Sequence, residues 1–207
     1  FKRADKIIVN SNDFKKELDK RFNVYSKIIY NPLNRNEIMQ KSKERVSVKI
    51  FQEKKALKLI NIARFTNQKD HLTLLNAFKL IPKEIKARLL LMGYGNNKKL
   101  ILDFIKDNSL TNVVKVIDYQ NNPYKYIAKA DFFILTSIYE GLPNVLLEAM
   151  TLKKLIISSD CPTGPKEILK NGKYGFLFKI GDYKDLLQKI IWCSKNKKIN
   201  KTRIEKG

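Results

Sequence analysis

The sequence is poor in the residues that most often carry catalysis or hold metals. It contains one histidine, His71, and two cysteines, Cys161 and Cys193, in 207 residues. A single imidazole argues against a histidine-based metal site or a catalytic triad built wholly from this chain. The cysteines are far apart and form no C-x-x-C pair, which fits a reducing compartment and two inert thiols. No D-x-D occurs, so there is no obvious carboxylate pair for a divalent ion carried by a nucleotide. No apolar run approaches the ~18 residues of a membrane span, and no leader segment is visible. The chain begins at Phe1 and not at Met, which predicts a fragment of a longer protein.

Acid is scarce as well. Asp and Glu number 20 against 42 Lys and Arg, a net charge of +22. Within the basic set Arg is the rare partner, with seven residues to 35 Lys. A Lys-, Asn- and Ile-rich mix is what compositional drift in an AT-rich genome produces, and a solvated basic surface accounts for it most simply. Attraction to an anionic membrane face is the second reading. Nucleic acid is the third, and it is not expected, because no nucleic-acid motif accompanies the charge.

What is present is enough to fold. The chain is 43% hydrophobic and 10% aromatic, and its length suits one full core and a little over. Residues 1–34 read as strand, helix, strand: "KIIV", a helix opened by Ser11, Asn12 or Asp13, and "SKIIYNPLN". Residues 35–57 are charged and weakly patterned, a connector. From Lys58 to Ser194 continuous apolar strands ("LKLINIA", "ARLLLMG", "VVKVID", "DFFILT", "KLIISS", "GFLF") alternate with helices. That pattern predicts an α/β body, a Rossmann-like parallel sheet with helices on both faces. Residues 195–207 read as a basic tail.

In such sheets ligands sit where strands run out into loops. "SIYEGLPN" is the most informative loop. Pro143 suits a first helical turn, and Gly141 permits a close backbone approach. The N–H groups of Asn144 and Val145 would point from a helix N-terminus, a good phosphate site. Glu140 and Glu148 flank it with seven residues between them; carboxylates accept paired hydrogen bonds from vicinal hydroxyls. The blander reading is a helix with one favourable acid and one surface Glu. Arg64 and Lys69 follow another strand and could clamp a diphosphate. Gly93 and Gly95 form a G-x-G after a third strand, without the full dinucleotide fingerprint, so a tight turn explains them equally well. Glu167 reads as a dipole-matched acid in the first turn of its own helix, and His71 as a structural residue.

Together "ARFTNQKD…LLNAF", "LLLMGYG", "ADFFILTSIYEGLPNVLLEAM" and "GPKEILKNGKYGFLF" resemble the C-terminal domain of retaining glycosyltransferases of the group 1 family (family 4, GT-B fold). The resemblance covers roughly Lys58 to Ser194. The opening segment then looks like the end of that family's N-terminal Rossmann-like domain. The resemblance implies a catalytic set of Arg64 and Lys69 on the donor diphosphate and Glu140 on the donor sugar hydroxyls. Glu148 would bind the ribose diol. Backbone from Gly141 through Leu142 and Asn144 to Val145 would touch sugar and phosphate, and Gly93, Asp118 and Tyr119 would border the base. Ala63 departs from the Gly that many members carry there.

The implied reaction moves a sugar from a nucleoside diphosphate sugar, most simply a UDP-sugar, to a hydroxyl acceptor held by an N-terminal domain. No metal and no cofactor are implied. The setting implied is polysaccharide or lipid-linked glycan assembly, in the cytoplasm or peripherally on the inner membrane face. The chain alone would bind donor without turnover. Two alternatives stay open: a nucleotide-binding or regulatory module without transfer, and a basic nucleic-acid-binding domain.

Overall fold

The structure, a computed structural model, describes residues 4–207. Its first unit comprises β1 (Ile7–Val9), α1 (Asn12–Phe22) and β2 (Ser26–Ile28), with the two short strands parallel. Ser11 is the N-cap of α1, its hydroxyl oxygen accepting the Phe14 N–H at 3.2 Å. The helix ends on Asn23 in the left-handed region, which a short polar side chain tolerates. α2 (Arg35–Lys41) follows.

The main body then runs β3 (Leu57–Ile62), α3 (His71–Lys79), β4 (Ala87–Met92), α4 (Lys98–Asp107), β5 (Val114–Ile117), α5 (Tyr124–Lys129) and β6 (Phe132–Leu135). It continues through α6 (Asn144–Thr151), β7 (Leu155–Ser159), α7 (Pro165–Ile168), β8 (Phe176–Phe178), α8 (Tyr183–Lys195) and α9 (Lys197–Lys206). The six strands β3–β8 form one parallel sheet in the order β5-β4-β3-β6-β7-β8. Strand order therefore reverses between β3 and β6, and the helices that follow those strands, α3 and α6, pack on opposite faces of the sheet.

Apolar side chains alternate between two cores. Leu59, Leu89, Leu91, Phe132, Ile134, Leu155 and Ile157 face α3, α4 and α8. Ile60, Ile62, Leu90, Met92, Phe133, Leu135 and Ile156 face α2, α5, α6 and α7. A strand covered on both faces has no polar side to show, which is why these segments read as unbroken apolar runs. Buried polar residues in the sheet are few: Ser158 and Ser159 at the end of β7, and Asn61. Asn61 is fully buried in β3, where the β3–β6 ladder has stopped at Ile60–Phe133, and its Nδ2 donates to the Ile134 carbonyl at 2.9 Å. The amide side chain bridges the two strands as they part.

Two stretches differ from their sequence reading. Within the connector, Ile38 and Phe51 are buried in the second core, so this segment is packed into the body. Isolated apolar residues in a charged stretch give no periodic signal. The basic tail is α9, docked on the body. Arg203 donates to the Gly175 carbonyl at 2.9 Å and to that of Gly172, and its guanidinium lies 4.3 Å from the centre of the Phe176 ring. Its composition is polar enough to read as solvent-exposed, yet its anchors are an Arg and the partly buried Ile204. Cys161 and Cys193 are buried, and burial pushes their thiols up to about 11 and about 12. No helix among the described residues is long and apolar enough to cross a membrane.

Candidate active site

The loops after β3 and β6 meet at the reversal of strand order and are stitched together. The Ile138 N–H donates to the Gln68 carbonyl at 2.8 Å, and the Gln68 side-chain amide donates to the Tyr139 carbonyl at 2.8 Å. The Thr136 hydroxyl donates to the Lys69 carbonyl at 2.8 Å. These bonds bring Lys69 and Glu140, 71 residues apart, into an ion pair of 2.5 Å whose side chains are 13% and 9% exposed. The Ser137 hydroxyl adds a donor to the same Glu140 oxygen at 2.6 Å. Ser137 is in turn fixed by Ser159, whose hydroxyl donates to the Ser137 carbonyl at 2.6 Å. The carboxylate is thus held in one orientation by a cation and a hydroxyl.

Arg64 follows β3 and is exposed; its carbonyl accepts the Thr66 N–H at 2.9 Å, and its guanidinium has no hydrogen bond or ion pair to another described residue. It is a free fork on the same loop as the occupied ammonium of Lys69. α6 begins at Asn144, and no side chain caps its N-terminus. The Asn144 and Val145 N–H groups have no intrahelical acceptor there, and Leu142 is buried beneath the loop they follow. Arg64 and Lys69 on the loop after β3, and this helix end after the β6 loop, are three sources of positive potential carried by two loops that are bonded to each other.

Glu148 lies one turn into α6, half-buried, beside the Tyr124 hydroxyl. Burial raises its pKa above the usual carboxylate value, and the Tyr124 hydrogen bond opposes that shift. Tyr124 in turn is raised by its own burial and by Glu148. Tyr119 and Asp118 are exposed at the end of β5, where Asp118 pairs with Lys98 at 2.6 Å.

Gly93 and Gly95 have a local reason. A side chain at Gly93 would put its Cβ 1.9 Å from the Ala63 carbonyl oxygen. At Gly95, where φ is +144°, it would stand 2.4 Å from that of Phe65. The loops after β3 and β4 are packed backbone to backbone, and the Phe65 N–H donates to the Tyr94 carbonyl at 2.7 Å. Gly93 is buried. Gly141, by contrast, is exposed and has room for a Cβ.

His71 is 3% exposed, edge-on to Phe65, and both its ring nitrogens lack a protein partner. Burial, then the charge of Lys69, lowers its pKa to about 4, so it stays neutral near pH 7. Among the described residues no group of three or more His, Cys, Asp or Glu is placed to hold a metal.

Sequence reading missed Ser137, Gln68, Tyr124 and Thr163. Ser137, Gln68 and Thr163 sit inside strand-end loops, the last in "SDCPTGP", so hydroxyl and amide donors near a candidate carboxylate are the available signal. Tyr124 has none in spacing. Glu167 lies in the first turn of α7, as the sequence predicts, but its carboxylate turns away from that helix. Its carboxylate accepts the Asn12 N–H at 2.9 and 3.1 Å, the Asp13 N–H at 3.2 Å and the Tyr30 hydroxyl at 2.9 Å. It therefore satisfies the first two N–H groups of α1, alongside the Ser11 cap.

Comparison with known proteins gives consistent matches. The sequence profile of the family described as "Glycosyl transferases group 1" matches residues 42–207. An uncharacterized glycosyltransferase of Methanocaldococcus jannaschii is 33% identical over 96% of this chain and 52% of its own length. The N-acetylgalactosamine-N,N'-diacetylbacillosaminyl-diphospho-undecaprenol 4-alpha-N-acetylgalactosaminyltransferase of Campylobacter jejuni is 28% identical over 97% of this chain and 54% of its own. The chain thus spans about half the length of these relatives. Among solved structures, Anabaena Alr3699/HepE in complex with UDP has a TM-score of 0.84 at 21% identity, covering 97% of this chain and 57% of that one. A TarM mutant of S. aureus in complex with Fondaparinux, alpha-GlcNAc-glycerol and UDP has a TM-score of 0.83 at 21% identity, covering 99% and 40%. At that identity the likeness is one of fold.

Proposed function

The chain belongs to the group 1 glycosyltransferases, and from that premise we propose that it is the donor-binding half of a retaining enzyme that takes its sugar from a nucleoside diphosphate sugar. One observation carries this reading: Lys69 and Glu140 pair across the loops after β3 and β6, where the strand order reverses, and those same loops carry Arg64 and lead into the uncapped N-terminus of α6. Arg64 and Lys69 take the diphosphate, joined by the Asn144 and Val145 N–H groups. As the bond to the anomeric carbon breaks, charge grows on the leaving phosphate, and fixed cations and dipoles stabilise it without reorganising. With those three sources of positive charge, the transfer runs without a divalent ion.

Glu140 receives the sugar hydroxyls, already aimed by Lys69 and Ser137. Glu148 receives the ribose diol beside Tyr124, and the base lies towards Tyr119. UDP is the favoured nucleotide, supported by the two UDP complexes that share the fold. The acceptor is a hydroxyl carried by a growing polysaccharide or lipid-linked glycan and held by a domain beyond residues 4–207. The Campylobacter relative, whose name specifies an undecaprenol-linked acceptor, supports a reaction at the cytoplasmic membrane face, where the +22 charge would favour anionic lipid.

The test is a panel of UDP-, GDP- and ADP-sugars read by thermal stabilisation of the 207-residue chain. UDP-sugars are expected to raise its melting temperature most. Transfer to an added acceptor should stay at background, since this half holds one reactant and positioning both is worth roughly 7–11 kcal/mol of barrier. No stabilisation by any of the three at millimolar concentration refutes the reading, and so does robust glycosylation by this chain alone.

A further inference from the structure

Glu167 joins the first unit to the main body. Three donors converge on its carboxylate: the Asn12 N–H, shared between both oxygens, the Asp13 N–H and the Tyr30 hydroxyl. The acceptor is charged and the donors lie at a helix N-terminus, so each bond is stronger than a neutral one and the helix dipole adds to them. Glu167 lies 155 residues from Asn12 in sequence. Asn12 and Asp13 belong to the β1–α1–β2 unit, and Glu167 to α7 of the body.

The segment that carries Glu167 also grips the Glu140 loop. The Thr163 hydroxyl donates to the Glu140 carbonyl, and the Glu140 N–H donates to the Pro162 carbonyl at 3.4 Å. Thr163 holds φ at +59°, an unusual conformation for a β-branched residue. Next to it Gly164 holds φ at +84°, and a Cβ there would stand 2.4 Å from the Gly141 carbonyl oxygen and 2.6 Å from Pro143 Cδ. No side chain other than hydrogen fits. The four-residue α7 follows at once, with the Ile168 N–H donating to the Gly164 carbonyl at 2.8 Å. Only Pro165 and Lys166 therefore separate the backbone pressed on Gly141 from the carboxylate that caps α1.

The first unit touches the same loop at two further points. Asn31 Nδ2 donates to Asn144 Oδ1 at 2.8 Å, at the first residue of α6. Asn10 Oδ1 lies 3.8 Å from where a Cβ on Gly141 would be.

We propose that Glu167 is a positioning residue: it ties the N-terminus of α1 to the 160–167 segment, so that the seating of the N-terminal unit sets the orientation of the Glu140 loop. The tie itself needs no donor site; its use in selecting a sugar-bearing ligand rests on the reading of Glu140 given above. In a transferase whose acceptor comes from the N-terminal side, this makes the donor carboxylate sensitive to whether that side is in place.

The experiment compares wild type with Glu167→Ala, Glu167→Gln, Tyr30→Phe and Thr163→Ala by amide NMR of the ligand-free chain, and by calorimetry with UDP and a UDP-sugar. In Glu167→Ala, exchange of the Asn12 and Asp13 amides should accelerate on the order of tenfold or more, the scale of losing charged hydrogen bonds. The Glu140 and Gly141 resonances should shift and show added fast motion. Preference for UDP-sugar over UDP should fall several-fold, with UDP affinity little changed. Glu167→Gln and Tyr30→Phe should move the same resonances in the same direction by less. Thr163→Ala should disturb Glu140 and Gly141 while Asn12 and Asp13 keep their protection.

Loosened Asn12 and Asp13 amides with unmoved Glu140 and Gly141 resonances would overturn the proposal, since the contact would then be a local cap. Unchanged exchange at Asn12 and Asp13 in Glu167→Ala would overturn it too. If Glu167→Ala unfolds, seen as fast exchange at Leu90 and Phe133, the milder Tyr30→Phe decides by the same criteria. The ligand-free spectra and the binding data fail independently. Coupled resonances without nucleotide binding refute the donor-site reading alone, and binding with uncoupled resonances refutes the tie alone.

Discussion

Replacing Glu140 by Gln should strengthen UDP binding and weaken binding of the sugar-bearing ligand, an inversion that follows from the Lys69 contact. In the ligand-free chain Lys69 is already neutralised by Glu140 at 2.5 Å, with both side chains largely withdrawn from solvent. A phosphate that takes up a bond to Lys69 would stand on the order of 5 Å from that carboxylate. At an effective dielectric of about 20, the repulsion is roughly 3 kcal/mol per unit charge before screening. The intervening ammonium and residual solvent reduce the net figure to about 1 kcal/mol, roughly fivefold in Kd. Glu140→Gln removes this repulsion, keeps an acceptor for Ser137 and conserves volume, so UDP should bind about fivefold more tightly.

A UDP-sugar gains the same relief but loses charge-assisted bonds from its hydroxyls, worth about 1.5–3 kcal/mol. The ratio of the two affinities cancels the common term and should change by roughly 10- to 100-fold. Titration calorimetry on wild type and Glu140→Gln, with UDP and the most stabilising UDP-sugar of the panel, measures both. A thermal melt confirms that the variant is folded. If Glu140→Gln weakens UDP and UDP-sugar alike, or leaves both unchanged, Glu140 neither competes for Lys69 nor reads the sugar.

Other outcomes follow from the same geometry. Arg64→Ala should weaken UDP by about 2 kcal/mol and leave stability within about 0.5 kcal/mol, because Arg64 is exposed and unpaired; Lys69→Ala should also destabilise the fold by a few kcal/mol, on the order of 3, by stranding Glu140, and a denaturant melt separates the two. UDP affinity should hold above the raised pKa of Glu148 and fall as pH drops through it, beginning at a higher pH than an ordinary glutamate would give; Glu148→Gln should bind more weakly above that pKa and show no such fall. His71 is a base whose folded pKa is lowered from 6.5 to about 4, so the unfolded chain takes up the proton first. Its contribution to stability is present above about pH 6.5 and lost as pH falls towards about 4, on the order of 3 kcal/mol. Urea midpoints across that range should drop less in His71→Leu than in wild type.

The sheet was legible because each central strand is buried on both faces and each is followed by a helix; "LLLM" and "FFIL" could hardly be anything else in an alternating chain. The placement of Arg64 after a strand and of Glu140 and Glu148 around a helix start was legible because apolar runs and Pro143 mark those boundaries without tertiary detail. Pairing was not. That Lys69 meets Glu140 depends on β6 lying beside β3 and on bonds from Gln68 and Thr136, and no local spacing encodes it. Glu167 shows the same limit more sharply. A Glu in the first turn of a helix is sufficiently explained by its own dipole, so sequence reasoning stops there, while its carboxylate serves a helix 155 residues away. α9 escaped because its composition is that of a solvated segment and its docking rests on Arg203 and backbone carbonyls.

The two buried thiols have a practical corollary. With Cys161 and Cys193 held at about 11 and about 12, about one Cys161 side chain in a thousand is ionised at pH 8, and fewer still at Cys193, before access is considered. Maleimide or iodoacetamide dyes should pass over both. A cysteine placed on the exposed face of α1 and another on the rim beside Tyr139 would then be the sole reactive handles on an otherwise wild-type chain. Distances between two fluorophores could be followed in solution without first stripping the native cysteines, and the seating of the N-terminal unit becomes an optical signal.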